Sequence, residues 1–351
     1  MSHLILSGFY LFFRRLVIIG FTLGQKLSHK PTDLEDVVLF GDKALIALSP
    51  LKKILFTFPV PSHLSTSIYD LEFKSPLLLS SFKDDQAVID LWLNFGLGGA
   101  IFKTIYLEPR KGNPRPRIQE LSLPEGRCLI NAMGIPGKGV HALIQTLLQT
   151  EHPATHSPIG ISIGGSTVQE YALCIQRIEE ALAGSPLRRF YELNISCPNI
   201  TKSKEEDISQ NPHLLDALLT QIRAHTQAII GVKLSPDKPN DYLKLYAEIT
   251  SSVPRTYLNL GNTTYRKCAQ VGLPNQALSI GGGGLSGFPL FERTLEMVKL
   301  LAPYKIPIIA TGGISTAKQV KALQKEGATL IGMATAVVQN PYCIPKILSE
   351  L

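Results

Sequence analysis

Eight short apolar runs, most of them separated by segments of helical periodicity, constrain this 351-residue chain more than any other feature. The runs are LLLS (77–80), AIFK (100–103), IGISI (159–163), YELNIS (191–196), AIIGVKL (228–234), YLNL (257–260), PIIAT (307–311) and LIGMA (330–334). Between them lie helical patterns such as AVIDLWLNF, GVHALIQTLLQ, VQEYALCIQRIEEALA, PHLLDALLTQIRAH and FERTLEMVKLLA. Short apolar runs alternating with helices predict an α/β fold, a (β/α)8 TIM barrel over residues 75–351. An open doubly wound sheet is the alternative. It calls for a glycine-rich dinucleotide turn after the first strand, and none is there.

Residues 1–74 have a different character. LILSGFYLFFRRLVIIGFTL (4–23) is apolar but for Arg14 and Arg15 at its middle, and no acidic residue precedes Asp33. Each central arginine would cost roughly 2.5–3.5 kcal/mol in a spanning helix. The favoured reading is an amphipathic helix in the membrane interface with its arginines snorkelling, so residues 1–30 are expected to meet a membrane surface. A helix packed on the main domain, or a true span, is the alternative. VVLF, ALIAL and KKILFTF extend this helical region to about residue 61, and PVPSH (59–63) reads as a linker.

The net charge of +7 admits a nucleic acid, an anionic membrane or an anionic ligand. No zinc-finger spacing, RNA-binding aromatic signature or long basic block is present, which argues against nucleic acid. The five cysteines, Cys128, Cys174, Cys197, Cys268 and Cys343, are scattered and form no CxxC. Metal and iron–sulfur ligation are therefore not expected, and a reduced, cytosol-facing compartment fits.

In a barrel of this kind function gathers where strands end. Lys103 and Lys233 end strands, and their charge suits a carboxylate or an electron-rich ring. Asn131, Asn194, Asn199 and Asn262 lie at loops or strand ends, where amides can read a planar ring bearing C=O and N–H groups. SIGGGGLSG (279–287), IIATGGIST (308–316) and GMAT (332–335) offer glycines and a helix start to an anion, so a phosphorylated ligand or cofactor is expected. Cys197, at a strand exit before Pro198, can act as a base if nearby lysines lower its ordinary pKa of about 8.5. The other four cysteines read as structural.

With these motifs assembled, the sequence resembles the dihydroorotate dehydrogenases from about Ser75 to the C-terminus. KTIYLEPRKGNPRPR (103–117), LINAMGIPGKG, ELNISCPN, VKLSPD, NTT (262–264), GGLSG (283–287) and IIATGGI followed by GMAT carry the likeness. The resemblance implies a barrel holding FMN and oxidising dihydroorotate to orotate in pyrimidine synthesis. Cys197 matches the base of the cysteine-type (class 1) enzymes, and Lys103 a catalytic lysine touching substrate and flavin. Asn131, Asn194, Asn199, Asn262 and Thr263 match pyrimidine contacts, and Met133, Gly134 and Ile135 the stretch holding the substrate carboxylate. Lys233 matches the lysine beside flavin N1 and C2=O. Ser80, Ser81, Thr104, Ser162, Asn194 and Gly261 fall near the ring, and Gly287, Gly312, Gly313, Ala334 and Thr335 in the phosphate region. Ser162 stands where an asparagine is frequent, Phe82 where a glycine is common, and ITKSKEED (200–207) replaces a small proline–glycine loop. Residues 1–74 resemble the extension of the membrane-bound, quinone-using (class 2) enzymes. A membrane quinone is thus the expected acceptor and the cytoplasmic side of the inner membrane the expected location. Fumarate or an NAD-linked partner subunit is the alternative acceptor, and a homodimer is left open.

Overall fold

The computed structural model describes residues 2–149, 157–195 and 208–351. Before the barrel come helix α1 (Ser2–Leu27), α2 (Glu35–Ala47), the one-turn α3 (Lys52–Leu55) and a hairpin of β1 (Thr66–Ile68) and β2 (Leu71–Phe73). Then follow β3 (Leu77–Lys83), α4 (Gln86–Asn94), β4 (Gly99–Ile105), β5 (Ile118–Leu123), β6 (Gly126–Asn131), α5 (Gly139–Gln149), β7 (Ile159–Ile163), α6 (Val168–Ala181) and β8 (Arg189–Leu193). The chain continues through α7 (Pro212–Arg223), β9 (Ile229–Leu234), α8 (Asn240–Ser251), β10 (Thr256–Leu260), β11 (Thr264–Lys267), β12 (Gly282–Gly287), α9 (Phe291–Leu301) and β13 (Ile308–Thr311). It ends with α10 (Ala317–Lys325), β14 (Leu330–Met333), α11 (Thr335–Gln339) and α12 (Cys343–Glu350).

The strands β3, β4, β7, β8, β9, β10, β13 and β14 close into a barrel in that order. Every pairing within it is parallel. These are the eight runs read from the sequence, so the TIM-barrel expectation holds. Local chemistry starts the helices. Asp85, Thr167, Asn211 and Thr316 are N-caps whose side-chain oxygens accept from Val88, Glu170, His213 and Gln319 backbone N–H groups. Such caps satisfy donors that the first helical turn otherwise leaves unpaired.

The barrel interior is layered. Its lower part is apolar, built by Leu78, Ile101, Phe190, Tyr257, Ile309 and Leu330, and closed by Ile68, Leu71 and Phe73 of the β1–β2 hairpin. The hairpin falls before residue 75, where the sequence reading begins the barrel, yet it packs as the barrel's floor. Burying a side chain such as Phe73, 1% exposed, stabilises by about 1.5–3 kcal/mol.

Two features differ from the sequence reading. SIGGGGLSG was read as a glycine-rich stretch that lets backbone approach an anion, with no strand assigned; its residues Gly282–Gly287 form β12, in a four-stranded antiparallel sheet ordered β11, β12, β6, β5. Close approach explains the glycines: a Cβ on Gly283 would lie 2.4 Å from the Asn131 carbonyl oxygen. The second difference is Arg14, expected to snorkel. Its Nη1 pairs with Glu120 Oε2 of β5 at 2.9 Å, whereas Arg15 is exposed. One stripe of α1, including Leu6, Ser7, Tyr10, Arg14, Val17 and Gln25, faces the protein. The opposite face leaves Phe9 70% and Phe12 66% exposed. The helix over His3–Leu27 is long and apolar enough to cross a membrane.

Candidate active site

The polar residues collect at the C-terminal ends of the barrel strands, above the apolar floor. The register between β3 and β4 breaks between Leu79 and Lys83, and this irregularity lets Ser81 reach the barrel interior. Ser81 Oγ accepts from Lys233 Nζ at 2.9 Å and donates to Glu192 Oε1 at 2.8 Å. Ser162 Oγ on β7 also donates to Glu192 Oε1, at 2.8 Å, and exchanges a 2.9 Å hydrogen bond with Thr104 Oγ1 on β4. Thr104 Oγ1 in turn accepts from Asn194 Nδ2 at 2.9 Å, and Asn194 Oδ1 accepts from Asn262 Nδ2 at 3.4 Å. Thus Ser81, Thr104, Ser162, Lys233, Asn194 and Asn262, from six different strand ends, form one connected polar surface. Asn262 Oδ1 accepts from the Thr263 backbone N–H at 2.8 Å, fixing that turn.

The antiparallel sheet adds a second wall. Asn131 ends β6, and its Nδ2 donates to the Gly284 carbonyl at 3.4 Å. A Cβ on Gly284 would lie 2.1 Å from Thr263 Oγ1, so Asn131, Gly284 and Thr263 adjoin. Beyond Asn131 the backbone is strained: Ile135, a β-branched residue, has φ of 50°. Such conformations cost of order 1–3 kcal/mol and cluster at ligand sites. Met133 is pinned through its carbonyl, which accepts from Asn113 N at 3.0 Å, and a Cβ on Gly134 would meet Asn113 at 2.7 Å. The loop carrying GNPRPR therefore buttresses Met133, Gly134 and Ile135.

The glycine turns form a third group. Gly261 has φ of 148°, and a Cβ there would fall 1.6 Å from the Thr311 carbonyl oxygen. Gly312 and Gly313, also left-handed, face Leu290 and Phe291, just past Gly287. Thr335 Oγ1 donates to or accepts from Ser286 Oγ at 2.8 Å, and a Cβ on Gly287 would lie 3.2 Å from Thr335 Cγ2. Gly287, Gly312, Gly313, Ala334 and Thr335 thus converge at adjoining strand ends.

Lys103 is half-buried on β4. Burial, the largest influence, holds its ammonium below the ordinary lysine value; Asp84 opposes this while Arg117 and Lys83 add to it. Among the described residues its ammonium makes no hydrogen bond or ion pair, leaving a cation for a ligand. Cys197 and Asn199 lie outside the described residues. Phe82 turns from the barrel interior to Trp92, with ring centroids 5.5 Å apart.

Sequence reasoning missed Glu192 and Asn259, fully buried in this network. The available signal was a polar residue within an apolar strand, in RFYEL and TYLNL. It also missed the clamp on the extension. Arg117 grips Glu35 with two bonds, Nε to Oε2 at 2.7 Å and Nη2 to Oε1 at 2.6 Å. Arg115 Nε donates to Asp33 Oδ2 at 3.1 Å and its Nη1 to Asp36 Oδ1 at 2.9 Å.

The residues fit a flavin nucleotide on two independent grounds. Among the described residues Ser80 Oγ is buried with no hydrogen-bond partner, and the glycines at 261, 287, 312 and 313 stand where a Cβ would crowd its neighbours. A closed parallel barrel with lysines, amides and glycine turns gathered at one mouth is the arrangement of a barrel enzyme. The dihydroorotate dehydrogenase family profile matches residues 63–351, and the chain belongs to that family. It is 32% identical over 293 residues to the catalytic subunit of dihydroorotate dehydrogenase B (NAD(+)) of Desulforudis audaxviator, covering 82% of this chain and 91% of the relative. It is 30% identical over 331 residues to the dihydroorotate dehydrogenase (quinone) of Mycobacterium ulcerans, covering 92% and 86%. The fold matches the DHODH of Eimeria tenella solved with ferulenol, with a TM-score of 0.76 at 20% identity, covering 92% of each chain.

Proposed function

We propose that this protein oxidises dihydroorotate to orotate with FMN as its cofactor and passes the electrons to a membrane quinone. Bound FMN would supply the two-electron acceptor for the substrate hydride. Lys103 provides a positive charge to substrate and flavin, and the backbone at Met133, Gly134 and Ile135 receives the substrate carboxylate. Asn131, Asn194, Asn199, Asn262 and Thr263 orient the pyrimidine by pairing with its C=O and N–H groups. Cys197 removes the C5 proton as the C6 hydride departs, which leaves the C5–C6 double bond of orotate. Lys233 holds positive charge where negative charge develops on reduction. Glycines 261, 287, 312 and 313, with Ala334 and Thr335, seat the cofactor.

The observation that carries the acceptor is a cavity of about 320 Å³ between the extension and the barrel wall, lined by Leu6, Tyr10, Val38, Leu45, Phe82 and Tyr342 among others. Its lining suits an apolar quinone, and its wall at Phe82 belongs to the strand that supplies Ser80 and Ser81. The exposed outer face of α1 supports peripheral attachment to the cytoplasmic side of the inner membrane. The Arg14–Glu120 pair favours a helix lying on the surface over one that crosses. A second reading, an NAD-linked enzyme, draws support from the Desulforudis audaxviator relative.

The test is steady-state oxidation of dihydroorotate by the purified protein, comparing a soluble quinone with fumarate and NAD. Rapid turnover with quinone alone supports the reading. Turnover with fumarate, or only with an added NAD-reducing partner, replaces the acceptor; a colourless protein without turnover overturns the whole.

A further inference from the structure

The layer beneath the barrel mouth holds a charge pair that substrate binding does not require. Glu192 on β8 is completely buried. Its Oε1 accepts from Ser81 and Ser162 hydroxyls and lies 3.4 Å from Lys233 Nζ, and its Oε2 accepts from Asn259 Nδ2. Asn259 Oδ1 accepts from Thr311 Oγ1 at 2.8 Å, which extends the network to β13. Lys233, Ser81 and Glu192 close a triangle, because Lys233 donates to Ser81 and Ser81 donates to Glu192. The carboxylate is thus anchored from β3, β7, β9 and β10 at once.

We infer that Glu192 is a positioning residue for the redox step: a fixed counter-ion that holds the Lys233 ammonium aimed at the flavin ring through turnover. The inference rests on the flavin reading above. An ammonium buried without a counter-ion sheds its proton readily, because low dielectric disfavours the charged form; such lysines fall by up to about 3–5 units, into the neutral range. Lys233 is only 7% exposed, and Glu192 Oε1 is the carboxylate oxygen 3.4 Å from its Nζ.

Among the described residues, the charged or titratable groups reaching this layer are Glu192, Lys233 and the Tyr257 phenol. Tyr257 is held protonated by its burial first and by Glu192 second. The other strands contribute the neutral Ser81, Thr104, Ser162, Asn259 and Thr311. Lys103, on β4, feels Asp84, Arg117, Lys83 and Glu35 as its charged neighbours.

Glu192→Gln tests this, since it keeps volume and, with one flip of the Asn259 amide, every hydrogen bond. The readouts are the flavin midpoint potential against pH and the rate of flavin reduction by dihydroorotate against pH, both on FMN-loaded protein. The wild-type profile is the reference for both. Glu192→Gln should take up an extra proton on reduction, seen as a steeper fall of potential with pH. Its reduction rate should gain a new ionisation and drop as pH rises. Glu192→Asp, which keeps the charge, should restore much of the wild-type profile. Wild-type pH dependence in Glu192→Gln by both readouts overturns the inference. If that variant does not fold, the double variant Glu192→Gln/Lys233→Met decides: a restored Tm supports a counter-ion, and continued failure to fold overturns it. A colourless wild type would instead sink the flavin reading, so the two failures are distinct.

Discussion

Glu35→Gln should damage one half-reaction and spare the other. Glu35 is the second residue after the buried Asp33, at the start of α2, and it takes both arms of Arg117. The two side chains are 16% and 14% exposed. Breaking a fully buried pair costs about 3–5 kcal/mol, mostly from the charge left behind. Here Arg117 keeps the carbonyls of Asn113 and Lys111, so about 2–3 kcal/mol is the appropriate figure. At about 1.4 kcal/mol per tenfold, the docked extension becomes roughly 30- to 140-fold less favoured. Quinone-dependent turnover should fall and protease should cut residues 28–60 faster. Single-turnover flavin reduction by dihydroorotate, measured by stopped flow, should stay within about twofold. Acid should mimic the variant. The Arg117 hydrogen bond, chief among the influences, holds the Glu35 carboxyl below its usual range. Its contribution is present above about pH 4.3 and is lost as pH falls through the lower folded value. Equal loss in both half-reactions would refute the idea that the extension serves only the acceptor side.

Three further outcomes are expected. Cys197→Ser should retain FMN and orotate binding but slow flavin reduction, with the rate recovering as pH rises; an unchanged rate at pH 7 removes Cys197 as the base. Orotate binding to oxidised protein should weaken as pH rises through the depressed Lys103 value, before the ordinary value of about 10.4, and Lys103→Met should abolish that step in a fluorescence titration. Gly261→Ala should lose FMN or lower Tm by at least 5 °C, because its Cβ would overlap the Thr311 carbonyl, whereas Gly8→Ala, with nothing within 4 Å, should be neutral.

The barrel strands were legible because a strand buried on both faces is a compact apolar run, and four of the runs lead into helices with side-chain N-caps. The antiparallel sheet was not. β12 is GGGLSG, a composition that ordinarily marks a turn; it is extended because it pairs with β11 and β6, and Tyr265, Asn131 and Thr263 stand where a Cβ on Gly282, Gly283 and Gly284 would fall. The placement of Lys103, Lys233, Asn131, Asn194 and Asn262 at strand exits was legible because polar residues at such points have no packing reason to be there. Glu192 and Asn259 were hidden inside strands, where period and composition alone do not distinguish an inward polar layer from a strand edge. The acidic residues of α2 looked like an ordinary helix start, since Glu and Asp favour first turns. Their partners, Arg115 and Arg117, are some eighty residues away.

Those arginines lie in the segment that also supplies Asn113 to the Met133–Ile135 backbone, so one loop touches both the expected substrate carboxylate site and the extension. β3 makes a second connection of the same kind. Ser80 and Ser81 belong to the barrel interior, whereas Phe82 and Lys83 line the cavity under α1 and α2, where Lys83 pairs with Asp42. The separation between the two candidate sites is therefore about the width of a strand. An acceptor held against Phe82 would need no mobile carrier or metal relay to reach a flavin held against Ser80. On that geometry α2, fixed by Glu35 and Asp33, supplies the far wall of the cavity proposed for the acceptor. Removing residues 1–60 should then abolish quinone turnover even with a fully water-soluble quinone analogue, while dihydroorotate still bleaches the flavin. Full turnover by such a truncated protein with the same analogue would show that the acceptor reaches the flavin by another route.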